Sequence, residues 1–223
     1  MTRGEQYVKT QVDVVIPTKS YMAGLMRLLG QLEPDPSVNK IIVVADGENA
    51  YNLVDSHNLP SKVVLTRVEL GAGIHVMWNL GKDMVEHHDN HVAFINDDVS
   101  VAENCMSIMS DVLNRNFEIG LLTPNFTGHQ LEEFSETQGF AGFCMMLARD
   151  LVHDYRFDER LKWWYGDNDI IMWVNRIANR KTGITGLTTC AENQSYTITN
   201  DPPKDFHMHI NNDARIYKEK WGI

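Results

Sequence analysis

"AFINDDVSV", residues 93–101, decides how the chain is read, because a short apolar run stops there on an amide and two adjacent carboxylates, Asn96, Asp97 and Asp98. With His91 and Val92 the run becomes "HVAFI", a buried strand that delivers charge at its carboxyl end. Neighbouring carboxylates repel one another unless a cation or a proton lies between them. A hard divalent ion, Mg²⁺ or Mn²⁺, takes oxygen ligands and leaves positions for phosphate oxygens. An N-cap for a helix starting near Val101 accounts for one acid but not for both.

Working outward, the same kind of strand recurs upstream. "VDVVI" (Val12–Ile16) is punctuated by Pro17 and Thr18, and "KIIVVADG" and "KVVLTRV" are further β-branched runs of the type buried on both faces of a parallel sheet. Between the first two, Met22, Leu25, Met26, Leu29 and Leu32 follow helical spacing, with Thr18 or Ser20 as the cap and "EPDP" as the stop. Before "HVAFI", "ELGAGIHVMWNLGKDMVEHH" has a glycine-rich entry and helical spacing at Val76, Leu80 and Met84. Strands alternating with helices predict an α/β sheet, in one domain covering residues 1–223. The second half, with "LLTPNFTGHQ" and "KTGITGLTTCAENQ", is less regular.

The 223 residues, 43% of them hydrophobic, suffice for one sizeable core. A net charge of -10 and a pI near 5.3 oppose non-specific binding to polyanions, so a nucleic-acid acceptor is not favoured. Cys105, Cys144 and Cys190 form no CxxC pair and point to reduced thiols in a cytosolic protein. The polar start lacks a signal-peptide core, and the longest apolar stretch, "FAGFCMMLA", is too short to span a bilayer. A soluble cytoplasmic protein, at most peripherally bound to membrane, is expected.

Ligands of open α/β sheets bind beyond the carboxyl ends of the strands, where Asp46, followed by Gly47, joins Asp97 and Asp98. A third acidic group follows three aromatics: Trp163, Trp164 and Tyr165 precede Asp167 and Asp169, an arrangement suited to a sugar, with carbon faces on the rings and hydroxyls on the acid. The alternative is that the rings are core and Asp167 caps a helix beginning near Ile170. In "FHMHINND", His207 and His209 share one side if the segment is extended, and one of them can complete a metal site.

In their order, "VVIPTKS", "VVADGEN", "WNLGKDM", "FINDDV", "GFAGFCMMLARD", "FDERL" and "WWYGDNDI" resemble the nucleotide-sugar glycosyltransferases of the GT-A fold, most closely glycosyltransferase family 2. The resemblance implies a mainly parallel central sheet flanked by helices, with a nucleotide-sugar half over about residues 12–100 and an acceptor half over about 101–223. It implies that Pro17, Thr18, Asp46, Gly47 and Asn79 surround the nucleoside, and that Asn96, Asp97 and Asp98 are the DXD motif. Asp98 is then the metal ligand and Asp97 lies nearer the ribose. Asp167 is the base, His209 a metal ligand with His207 as substitute, and Trp163, Trp164 and Tyr165 meet the acceptor. The chain departs from the family pattern with Asn96 for an aspartate and Gly166 for a glutamate.

The expected activity is inverting transfer, of hexosyltransferase type, from a nucleoside diphosphate sugar, a UDP-sugar first, to an acceptor hydroxyl, assisted by Mn²⁺ or Mg²⁺. The acceptor classes left open are glycans, lipid-linked glycans, proteins and modified nucleobases. A nucleotidyltransferase would use similar carboxylates but needs a basic phosphate loop, and "PTKSYMAG" supplies only Lys19. A non-catalytic sugar-binding module would explain the aromatics but not the paired acids.

Overall fold

The computed structural model describes residues 10–19, 21–87, 89–137, 142–192 and 205–223. Its first half is laid down by the β-branched runs: β1 (Val12–Thr18), β2 (Val38–Asp46), β3 (Val63–Val68) and β4 (His91–Ile95) lie parallel in the order β3-β2-β1-β4. Successive side chains of a strand face opposite ways, so Val12, Val14 and Ile16 enter one apolar cluster while Val15 enters another. Ile41 and Val43 are divided in the same way from Ile42 and Val44. Both faces are therefore covered, which is why these strands are apolar throughout.

The helices are α1 (Met22–Leu32), α2 (Glu48–Asp55), α3 (Ile74–Asp83), α4 (Cys105–Arg115), α5 (Gly166–Arg176) and α6 (Phe206–Trp221). α1 and α4 pack on one face of the sheet through Leu25, Leu28, Leu29, Met106, Met109 and Val112. α3 and α5 pack on the other through Met77, Trp78, Ile170, Ile171 and Val174.

The second half is mixed. After the short β5 (Val99–Val101) come β6 (Ile119–Asn125), β7 (Ser135–Glu136), β8 (Cys144–Leu147) and β9 (Lys181–Glu192). β8 is inserted antiparallel between β4 and β6, β9 runs parallel to β6, and β5 and β7 pair antiparallel with β9. The whole is a mixed α/β domain on a nine-stranded sheet whose parallel β3-β2-β1-β4 part carries the expected topology.

Several local expectations change. "KTGITGLTTCAE" is one long strand, and its glycines are required by close packing: a Cβ on Gly183 would strike the Phe134 ring, and one on Gly186 the carbonyl of Leu131. The helix expected near Val101 begins at Cys105, so neither Asp97 nor Asp98 caps it. The first-turn amides of Met106 and Ser107 donate instead to Asp35 Oδ2 at 3.0 and 3.1 Å, an acid from the "EPDP" turn. Tyr21, with no side-chain cap, precedes α1, and Pro17 and Thr18 belong to β1 itself; Ser20 lies outside the described residues. α3 buries His75, Met77, Trp78, Asn79, Gly81 and Lys82, while Val76, Leu80 and Met84 are half-buried. It packs against the sheet and against residues 157–162 at once, so a single apolar stripe does not describe it. Among the described residues no helix is long and apolar enough to cross a membrane.

Candidate active site

The parallel register brings the carboxyl ends of β1, β2 and β4 to one rim, with Thr18 beside Ala45 and Val15 beside Phe94. Residues 96–99 form a tight turn beyond β4, closed by Val99 N–H donating to the Asn96 carbonyl at 3.3 Å. Thr18 Oγ1 donates to Asp97 Oδ2 at 2.7 Å, so the threonine serves the turn rather than a helix cap. Burial pushes the Asp97 carboxyl up to about 7, against the Thr18 hydroxyl, and the charge of Asp98 adds to the rise. Asp98 is also buried, and Asn96 Oδ1 is a buried oxygen that accepts no hydrogen bond.

This donor set suits a hard cation: three consecutive residues contribute carboxylate and amide oxygens in a buried turn, and one of those oxygens is an orphan. Among the described residues no three His, Cys, Asp or Glu side chains converge as a metal-holding group, so neither His207 nor His209 joins Asp97 and Asp98 in one. The two histidines lie on α6 rather than on an extended segment. Two positions apart on a helix, they project about 200° from each other, not to one side. His207 is exposed and His209 half-buried.

At the end of β2, Asp46 is buried and its Oδ1 accepts the Gly71 amide at 2.7 Å. Burial raises its pKa, and the Gly71 bond and the Lys19 charge oppose the rise. Gly47 has φ 89°, and a Cβ there would press on Leu70 at 3.1 Å, so the glycine lets the 69–73 loop settle over the end of β2. Asn79 differs from its expected place in the nucleoside pocket. It is fully buried, Nδ2 donates to the Phe157 carbonyl and to Glu159 Oε1, both at 2.9 Å, and Oδ1 accepts the Phe157 amide at 3.0 Å. Its amide is committed to tying α3 to the "FDE" segment.

Asp167 lies in the first turn of α5, not before a helix at Ile170. Its Oδ1 accepts the Asn168 amide at 2.8 Å and its Oδ2 the Gly142 amide at 3.2 Å. The next residue, Phe143, accepts the Asn96 amide at 2.9 Å through its carbonyl. Two consecutive residues at the entry to β8 thus hold the acidic turn on one side and Asp167 on the other.

α6 fixes the segment that leads into α5. Asp213 is fully buried, and its Oδ2 accepts the successive amides of Lys162, Trp163 and Trp164 at 3.0, 2.9 and 3.1 Å. Asp169 is fully buried too; it accepts Tyr155 Oη at 3.0 Å, Lys220 Nζ at 2.8 Å and Trp221 Nε1 at 2.9 Å, which makes it the structural neighbour of Asp167. Trp164 meets Phe206 edge-on at 4.7 Å between centroids, and Tyr165 stacks on Tyr217 at 5.2 Å. Those two rings are half-buried against α6, as is Trp163 in its surroundings, so they are part wall and part packing.

Sequence reasoning missed His75, Asp213 and Gly142. Nothing local marks them, because each acts on a residue far away in the chain. His75 is buried, and its Nδ1 donates to the Leu161 carbonyl at 2.7 Å. Burial lowers its pKa, opposed by the Leu161 bond and the charges of Asp213, Asp169 and Asp167.

No known family model and no curated protein matches the sequence. Solved structures do match in shape. GalNAc-T7, crystallised with UDP, GalNAc and Mn²⁺, superposes with a TM-score of 0.67 at 13% identity, over 83% of this chain and 44% of its own. Residues 1–349 of S. aureus TarS give 0.66 at 15%, over 92% and 68%. The mannosyltransferase PcManGT from Pyrobaculum calidifontis, in complex with GDP-Man and Mn²⁺, gives 0.62 at 12%, over 94% and 65%. This chain therefore spans less than half the length of the first of these. With the parallel strands, the acidic turn at the end of β4 and these neighbours together, the chain has the GT-A fold of nucleotide-sugar glycosyltransferases.

Proposed function

We propose that the chain is a metal-dependent, inverting glycosyltransferase of the family 2 type that moves a hexose from a nucleoside diphosphate sugar, a UDP-sugar first, to an acceptor hydroxyl. The observation that supports this reading is the pair Gly142 and Phe143, which ties Asp167 to the 96–98 turn through one peptide unit. A base next to a diphosphate-binding turn is what direct displacement at an anomeric carbon requires.

In this reading Thr18, Asp46 and Gly47 face the nucleoside and Asp97 the ribose. Asp98, with the orphan Asn96 oxygen beside it, holds the metal. Mn²⁺ or Mg²⁺, when bound, supplies charge stabilisation for the departing diphosphate. His209 is assigned to the same metal, with His207 as substitute. Among the described residues no three His, Cys, Asp or Glu side chains converge, so in this reading the metal needs diphosphate oxygens of the donor beside Asp98 and the histidine. Asp167 accepts the proton of the acceptor hydroxyl as its oxygen attacks. The amides of Gly142 and Asn168 keep both carboxylate oxygens oriented. Trp163, Trp164 and Tyr165 form the acceptor wall.

The test is release of nucleoside diphosphate from a panel of UDP- and GDP-sugars with Mn²⁺, with and without saccharide acceptors. Nucleoside diphosphate release supports the proposal. Pyrophosphate release would make the protein a nucleotidyltransferase, and donor binding without turnover a binding module.

A further inference from the structure

The glutamate that the family resemblance expects before Asp167 is replaced by Gly166, and the space is not empty. A Cβ built on Gly166 would fall against the imidazole of His75, with Nε2 as its nearest atom. His75 comes from the first turn of α3, about ninety residues earlier in the chain. It is wedged there from several sides: Nδ1–H is bonded to Leu161 at 2.7 Å, Phe157 stacks on the ring at 5.9 Å and Trp78 meets it edge-on at 5.5 Å. The backbone around it is as close. Ile74 N–H donates to the Lys162 carbonyl at 3.0 Å, and a Cβ on Gly73 would approach that same oxygen to 2.8 Å. Asp213 holds residues 162–164 from the opposite side. Tyr165, at φ 65°, is the left-handed residue that turns the chain into α5 immediately before Gly166.

From these contacts we infer that His75 is a positioning residue for Asp167: its ring fills the side-chain space that Gly166 vacates and sets where the first turn of α5 begins. The inference rests on Asp167 being the base. A missing His75 ring opens the space against Gly166, while Asp213 still holds residues 162–164. Asp167 then loses its register with Gly142, not its identity.

The test uses His75→Gly in the full chain, with and without added imidazole, and reads the Gly142 amide resonance in ¹⁵N spectra alongside steady-state kinetics with a donor and Mn²⁺. Expected are a displaced Gly142 resonance, a kcat lowered roughly tenfold or more with donor KM within about twofold, and recovery of both kcat and the resonance on adding imidazole. An unmoved Gly142 resonance in folded His75→Gly overturns the inference whatever the activity, and so does a kcat that imidazole leaves unrestored. A wild-type protein that turns over no donor, in which Gly142 still responds to His75→Gly, sinks the glycosyltransferase reading and leaves the positioning contact standing. If His75→Gly does not fold, Gly166→Ala pushes the same contact from the other side. Unchanged Gly142 resonance and kcat in that variant overturn the inference.

Discussion

The rim at the ends of β1, β2 and β4 and the Asp167 segment are held by different forces. Thr18, Asp46 and the 96–98 turn are placed by strand ends, so the backbone ladder of β2-β1-β4 does the positioning. Asp167 is placed by a helix start whose surroundings are fixed by side chains from α3 and α6, chiefly His75, Asp213 and the Lys220 and Trp221 that donate to Asp169 of α5 itself. The first kind of site tolerates loss of a side-chain bond, since the ladder remains. The second depends on buried polar groups whose hydrogen bonds cross between elements.

The largest expected effect separates the two sites chemically. Asp167→Asn should lower turnover by roughly 10² to 10⁴ while keeping donor binding. Asp98→Ala should lose Mn²⁺-dependent donor binding in calorimetric titration. An Asp167→Asn protein with most of its turnover intact removes the base assignment.

Next is Asp213→Ala, which leaves the half-buried amides of residues 162–164 without their shared acceptor. We expect a loss of about 3 kcal/mol or more in urea unfolding. A loss below about 1 kcal/mol would mean that α6 contributes little to this region.

Intermediate in size is the effect of His91, at the start of β4 and so at the end of the sheet away from the rim. Its Nε2 donates to Asn114 Oδ1 at 3.3 Å, and its Nδ1 accepts the Arg149 amide at 3.0 Å, which fixes one neutral tautomer. Burial lowers its pKa to about 4, against the Asn114 bond and with help from the Arg149 charge. The sign follows: the folded state favours the neutral ring, so this stability is complete above the unfolded value near 6.5 and is lost as pH falls towards 4. That amounts to about 3 kcal/mol at one site. His91→Gln should flatten this part of the pH dependence of unfolding; an unchanged slope would show that His91 does not carry it.

The smallest effect belongs to the rim. Thr18→Val removes the bond to Asp97 and leaves the β1–β2 ladder intact. About 1 kcal/mol is expected. A cost equal to that of Asp213→Ala would erase the contrast between the two regions.

The same contrast explains what was legible. "VDVVI", "KIIVVAD" and "HVAFI" announce their strands because burial on both faces forces a local composition, and the acids at their ends follow at once. The Thr18–Asp97 pair was within reach, as the two residues end adjacent parallel strands. That His207 and His209 lie on a helix is not legible, because spacing alone does not say whether a segment is extended or helical. Asn79 was assigned to a ligand because a buried amide and a binding amide look alike in sequence. His75 filling the place of a side chain at 166, and Asp213 collecting amides about fifty positions away, are agreements between distant parts of the chain that no window contains.

Gly142 and Phe143 have a further consequence. Their α-carbons are one trans peptide apart, about 3.8 Å, and one holds Asp167 while the other holds the acidic turn. The spacing between Asp167 and the acidic turn is therefore a covalent gauge.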